Sequence, residues 1–280
     1  MVFGSMYFSP LAFRNKSYKF EETQTHQHMK KTLLYAAALL MSATTIAQIP
    51  TSGLVAHYPF NGNANDESGN SNDGTVNGAT LTNDRFGNAN SAYLFDGTDD
   101  IIEVLRSSSI EPASSISISL WALIDSSETG NFERILSKQH SQDQNYSSYQ
   151  IIVGNVGQGN LGKPGFTVRT STSYKWTGHS TSETIQDWTH LVGVYDGSDI
   201  KFYHDGILVS SVAHTGTFVY DSNSLLIGGG KDGLGFDSFF KGEIDDIRIY
   251  NNAISATDVQ SLYNESVCKV TVTDTLVISL

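Results

Sequence analysis

The chain predicts an all-β fold, two antiparallel sheets packed face to face, on three observations. Short runs rich in Val, Ile, Tyr, Phe and Trp recur through most of its 280 residues, with Gly, Asn, Asp and Ser between them. One run, "SISISLWALI" at Ser115 to Ile124, alternates strictly, so Ile116, Ile118 and Leu120 share one face and the serines the other, the pattern of a half-buried strand. No segment of the expected domain carries the 3.6-residue period of a long helix.

In chain order, "GLVAHYPF" (Gly53 to Phe60), "AYLFDG" (Ala92 to Gly97) and "IIEV" (Ile101 to Val104) are strands that precede the alternating run. "RILSKQ" (Arg134 to Gln139), "YQIIVGN" (Tyr149 to Asn155) and "GFTVRTS" (Gly165 to Ser171) follow it. The stretch "WTHLVGVYDGSDIKFYHDGILVSSV" then holds two Asp-Gly pairs, Asp196-Gly197 and Asp205-Gly206, each flanked by apolar alternation. Asp-Gly supplies the positive φ that tight hairpins need, so three consecutive antiparallel strands are expected. "SLLIGG" (Ser224 to Gly229) and "GEIDDIRIY" (Gly242 to Tyr250) add two more. One short helix closes the series in "SATDVQSLY", with Ser255 as N-cap, Asp258 as its capping-box partner, and Val259 and Leu262 as its apolar face.

Residues 29–47, "MKKTLLYAAALLMSATTIA", have the form of an export signal: Lys30 and Lys31, an apolar run from Leu33 to Met41, then small residues at Thr45 and Ala47. The run is about half of what a spanning helix needs and no later segment is long enough, so no membrane insertion is expected. Such a signal normally stands at the amino terminus, which makes residues 1–28 an over-extended, disordered start. The domain itself is expected over 48–263. Residues 264–280, whose "VTVTDTLVISL" alternates like another strand, are expected to be a linker or the start of a further module. The expected location is secreted or at the cell surface.

Residues 1–47 hold five basic and two acidic side chains, which leaves 12 basic against 27 acidic residues in the remainder. A surface that acidic repels phosphate backbones, so nucleic acid is excluded as a partner, whereas hard cations and neutral or cationic ligands are suited. The single cysteine, Cys268, excludes an internal disulfide. His190 has no Ser or Cys nucleophile motif beside it and is expected to be structural, and His57, His179, His204 and His214 show no zinc spacing. "IGGGKDGLG" (Ile227 to Gly235) lacks the Lys-Ser/Thr of a phosphate loop. Trp121 and Trp188, in apolar strands, are expected in the core.

Six stretches together carry a resemblance: "GLVAHYPFNGNANDESGN", "AYLFDGTDDIIEV", "ISLWALI", "WTHLVGVYDGSDIKFYHDGILV", "LLIGGG" and "FKGEIDDIRIYNNAISATDVQSLY". In this order, over about Gly53 to Tyr263, the chain resembles the laminin-G-like, concanavalin A-like jelly-roll domains of secreted bacterial proteins. The resemblance implies a jelly-roll sandwich with ligands on a concave face or at the loop rim. It also implies a structural calcium ion held between the loop after the first strand and the acidic pair of the last. Carried over, the ligands are Asp66 in "NANDESGN" and Asp245 or Asp246 in "IDDIRIY". The Asn- and Asp-rich loop Asn61 to Gly74 reads either as an oxygen donor for such a cation or as a solvated loop using Asn and Gly for its turns. Strict alternation puts Asp245 inward with Ile247 and Ile249, and Asp246 outward with Arg248. An inward carboxylate needs a partner, either the calcium or hydrogen bonds within the core.

Related glycosidases use Glu, one residue, Asp, then a second Glu two or three residues on. Glu243 and Asp245 match the first half, but the second position falls on Ile247, Arg248 or Ile249, so that strand has no second carboxyl for acid catalysis. The expected function is an exported, non-catalytic binding module for a glycan or an extracellular protein. A glycoside hydrolase on the same scaffold, or an adhesion segment of a larger surface protein, are the alternatives. Neutral sugars are bound through flat aromatic faces, and the candidates are Tyr174 and Trp176 in "STSYKWTGHS", Tyr146 in "QDQNYSSYQ" and Phe236 in "GLGFDSFF". The competing reading of each is a loop aromatic tucked against the sheet edge.

Overall fold

A computed structural model describes residues 48–125, 132–139, 147–154, 163–179, 187–232 and 235–265. The expected export signal, the segment before it, Tyr146, Cys268 and the alternating tail lie outside these residues. The described chain begins with β1 (Leu54–Tyr58), β2 (Gly74–Asn77), β3 (Thr80–Thr82), β4 (Ala92–Asp96) and β5 (Ile101–Val104). After a 3-10 turn come β6 (Ile116–Ile124), β7 (Glu133–Gln139), β8 (Ser147–Val153), β9 (Pro164–Arg169) and β10 (Tyr174–Gly178). The hairpin strands β11 (Thr189–Tyr195), β12 (Asp199–His204) and β13 (Ile207–Ala213) follow. The series ends with β14 (Leu225–Ile227), β15 (Gly230–Asp232), β16 (Gly235–Asp237), β17 (Lys241–Tyr250) and the helix α1 (Ala256–Asn264).

Two large antiparallel sheets result, with β15 and β16 forming a separate hairpin. The first runs β13-β12-β11-β6-β17-β4-β3, with β1 also on β17; the second runs β10-β9-β8-β7-β14-β5-β2. β1 and β4 share one side of β17, β4 pairing with Lys241 to Ile244 and β1 with Ile247 to Tyr250. The acidic pair falls in the gap between them. The expected hairpins form, and Asp205 and Gly206 turn between β12 and β13 with φ of 49° and 77°, as a type I′ loop requires.

Alternation fills the interior. Ile116, Ile118, Leu120 and Ala122 of β6 and Ile244, Ile247 and Ile249 of β17 meet Ile102, Val104, Tyr149, Ile151, Phe166, Val168, Leu225 and Ile227 of the second sheet. Each such large apolar side chain contributes about 1.5–3 kcal/mol by leaving water. Gly193 lets the sheets close here, since a Cβ on it would sit 2.3 Å from the Phe166 ring.

The β6 strand is not half-buried as its pattern suggested. Ser117 and Ser119 are as enclosed as the isoleucines, because α1 packs on the outer face of the first sheet. Val259 and Leu262 of α1 join Val192, Val194, Tyr203, Tyr250 and Ile254 in a second, smaller cluster there. Ser117 Oγ donates to Asn252 O at 2.8 Å, which satisfies the buried hydroxyl. The capping box of Ser255 and Asp258 forms as expected.

Candidate functional site

The acidic stretch sits on a β-bulge. Asp245 is opposite Trp121 and Arg248 opposite Ser119, so β17 carries an extra residue here, and Asp246 has a φ of 49°. Ile244 and Ile247 both remain in the core. Asp245, Asp246 and Arg248 are therefore all turned to the outer face, which corrects the inward position that strict alternation gave Asp245.

At the bulge, Asp245 and Asp246 each meet a cation. Arg85, from the loop between β3 and β4, puts Nη1 on Asp245 Oδ2 and Nη2 on Asp246 Oδ2 at 3.0 Å. Arg248 Nη1 lies 3.1 Å from Asp246 Oδ2 and 2.6 Å from Glu265 Oε2, and His57 Nε2 is 3.1 Å from Asp246 Oδ1. Burial works to raise Asp246, but the His57 hydrogen bond and the charges of Arg248 and Arg85 outweigh it and hold the group at about 2. Burial pushes Asp245 up to about 7 against the pull of Arg85, and the neighbouring Asp246 adds repulsion. Arg85 also covers Trp121, its Cζ 4.9 Å from the ring centroid, and Tyr263 stacks on the same indole at 5.9 Å. Trp121 thus lies under α1 and Arg85, outside the interior between the sheets, and Trp188 is only half-buried ahead of β11.

Asp66 comes to the same corner through His57. Its Oδ1 accepts from the backbone N–H of His57 and of Ser68, each at 2.9 Å; its Oδ2 accepts from Ser68 Oγ at 2.9 Å and Asn72 N–H at 3.0 Å. Burial opposes ionisation of Asp66, but these bonds prevail and lower its pKa. Calcium asks for six to eight oxygens with free lone pairs. Here four donors occupy the Asp66 carboxylate and guanidiniums occupy Asp245 and Asp246, so the three aspartates as arranged do not fit the ion. Among the described residues, a different trio, Asp96, Asp99 and Asp100, brings ligand atoms within 4.8 Å of one another in the turn after β4.

His190 is structural in its placement: 1% exposed, with Nε2 on Ser119 Oγ at 2.8 Å, and held down at about 3 by burial. Glu243 is paired across the sheet with Leu94 and Leu123. It shares a groove of about 530 Å³ with Asp96, Asp125 and Lys241, and burial raises its pKa. Two further carboxyls thus line the same groove, Asp96 at the end of β4 and Asp125 just after β6. Lys241 Nζ lies 3.4 Å from Asp125 Oδ2 and ties up that partner.

The outer face of the second sheet differs in kind. Trp176, Thr167, Gln150 and Ser137 are directly paired across β10, β9, β8 and β7 and point away from the core that their neighbours Phe166, Val168, Tyr149 and Ile151 fill. The Trp176 indole lies against two glycines: a Cβ at Gly165 would be 2.4 Å from its Nε1, and one at Gly178 would be 2.8 Å from its Cζ2. Trp176 Nε1, Thr167 Oγ1 and Gln150 Nε2 are all buried without a hydrogen-bond partner. Gln150 is fixed from its other end, its Oε1 accepting from Arg134 Nε at 3.1 Å and Ser147 Oγ at 3.0 Å. Arg134 in turn pairs with Asp237 at 2.5 Å. Tyr174 is on the same side of β10 as Trp176, two residues away. Phe236, 44% exposed, is on the β15-β16 hairpin, which adjoins β7, three strands away from β10. Sequence reasoning missed Thr167, Gln150 and Arg85. A polar residue in the outward register of "YQIIV" was a readable signal for Gln150; Arg85 had none.

Comparison with known proteins agrees with this architecture. Several solved structures share the fold at low identity. The binding domain of Paraclostridial Mosquitocidal Protein 1 matches at a TM-score of 0.62 and 15% identity, over 78% of this chain and 53% of that one. The botulinum neurotoxin serotype D ligand-binding domain, solved with N-acetylneuraminic acid, matches at 0.59 and 18%, over 78% and 52%. This chain therefore spans about half the length of those toxin domains. Domain 4 of AbnA, a GH43 extracellular arabinanase from Geobacillus stearothermophilus solved with arabinotriose, matches at 0.52 and 23%, over 76% of this chain and 98% of that domain. No curated protein matches this chain in sequence. The family model described as the concanavalin A-like lectin/glucanases superfamily matches residues 95–260, more than half of the chain, and the protein belongs to that superfamily.

Proposed function

We propose that this protein is an exported, non-catalytic module that binds a neutral glycan on the outer face of its second sheet, around Trp176. The observation that carries the reading is the indole laid on Gly165 and Gly178 beside the unpartnered Thr167 Oγ1 and Gln150 Nε2. Sugars offer C–H faces to an aromatic plane and hydroxyls to polar groups at its edge. Of the two arginines on this face, Arg134 is tied to Asp237, and Arg169, across from Tyr174, is already engaged, so a neutral sugar such as the arabinotriose of the arabinanase domain suits the face better than an anionic one. Export is supported by the signal-like segment at 29–47.

Binding of the full chain to an array of neutral and sialylated oligosaccharides tests this. Wild type is expected to select neutral glycans, and W176A to bind them about tenfold more weakly or worse. Unchanged affinity in W176A would remove the site. The rival hydrolase reading rests on Glu243 and its groove with Asp96 and Asp125. Release of reducing sugar by wild type that E243Q abolishes would favour it.

A further inference from the structure

We propose that Arg85 is a built-in replacement for a metal ion, so that this domain closes its acidic corner with a guanidinium where the fold family implies calcium. Three observations carry this, none of which depends on the glycan reading. First, the bulge at Asp246 turns two adjacent carboxylates to one face, and like charges that close need a cation between them. Second, the Arg85 side chain, 7% exposed, meets both at once, Nη1 on Asp245 and Nη2 on Asp246. A planar fork of donors spans two carboxylates as a lysine's point charge does not. Third, the loop that delivers Arg85 is set for the task. Asp84 Oδ1 accepts from the N–H of Phe86 and of Asn88, each at 2.8 Å, and its Oδ2 from Asn88 Nδ2 at 2.7 Å.

The guanidinium fixes the loop to the sheet as a shared ion would, but with donors already in place when the chain folds. Its charge and volume exclude a hard cation from the same spot. Removing it should leave Asp245 without a partner and Asp246 held only by Arg248 and His57, a corner short of one cation that calcium can supply.

The test is thermal melting of the full chain in chelator and in roughly millimolar calcium, for wild type, R85A and R85K, with terbium as a second probe. Trp121 lies 4.9 Å from the Arg85 carbon, close enough to sensitise a lanthanide held there. Wild type is expected to melt at the same temperature in both conditions and to give no tryptophan-sensitised terbium emission. R85A is expected to melt lower, to recover by about 5 °C in calcium, and to light up terbium. R85K, which keeps the charge, is expected to ignore calcium. A calcium response of wild type that D245N abolishes would overturn the proposal. So would an R85A protein that answers neither calcium nor terbium.

Discussion

The two outer faces of the sandwich treat polar groups in opposite ways. On the first sheet, Asp245, Asp246 and Glu265 are matched to Arg85, Arg248 and His57, and α1 covers what remains. On the second, the row Trp176, Thr167, Gln150 leaves three buried polar atoms without partners. The most heavily charged stretch of the sequence thus serves as a lock. A row with no net charge is the better site, because a buried unpaired donor costs about 1–3 kcal/mol until a ligand satisfies it. The first face has its own orphans, Arg85 Nε, His190 Nδ1 and Asn252 Oδ1, but each belongs to a residue already anchored through other atoms.

If that contrast holds, the largest effect on stability comes from unlocking the first face. R85A leaves Asp245 buried without its cation, and breaking a buried pair from one side costs about 3–5 kcal/mol. In chelator its melting temperature should fall by roughly 10 °C. A fall of only a degree or two would mean that the lock contributes little. W176A, on the other face, should leave the melting temperature far less changed while removing glycan binding.

This division was only half legible in the sequence. The strands that build the core were readable because each alternates against a common interior, as in Ile116, Ile118 and Leu120. The short polar strands β2 (GTVN) and β3 (TLT) carry no such stripe and went unread. Alternation failed at Asp245, because a single αL residue at Asp246 shifts the register by one and no local residue type announces it. Arg85 lies 160 positions from Asp245 in the chain, so their pairing comes from topology rather than from local pattern. Trp176 was readable as an aromatic in a polar segment, but its glycine bed needed the β9-β10 pairing to be seen.

Acid should separate the faces next. His190, beneath the first-face stack, is held at about 3 in the folded state by burial, against an ordinary value of 6.5. Between those values the unfolded chain binds a proton that the folded chain does not. Stability is therefore intact above about 6.5 and falls as the pH drops towards 3, by about 1.4 kcal/mol per unit for this one group. Comparing H190Q with wild type removes the background from carboxylates. The variant's melting temperature should decline less steeply between pH 6.5 and 4.5. Parallel declines would show that this histidine takes up its proton without unfolding.

The smallest expected effect discriminates best. If Thr167 Oγ1 is unpaired because a ligand completes it, then T167V, which swaps the hydroxyl for a methyl of similar size, should keep or raise stability, by up to about 1 kcal/mol. The same change should weaken glycan binding, since the partner hydroxyl of the sugar is left unmet. A site kept for function pulls stability and affinity in opposite directions, whereas an unpartnered threonine of the wall would show the same steady or raised stability with no change in binding. Measuring melting temperature and affinity on one preparation of T167V therefore decides whether the second face is a binding surface or an imperfectly satisfied part of the wall. Unchanged affinity beside a steady or raised melting temperature would establish the wall.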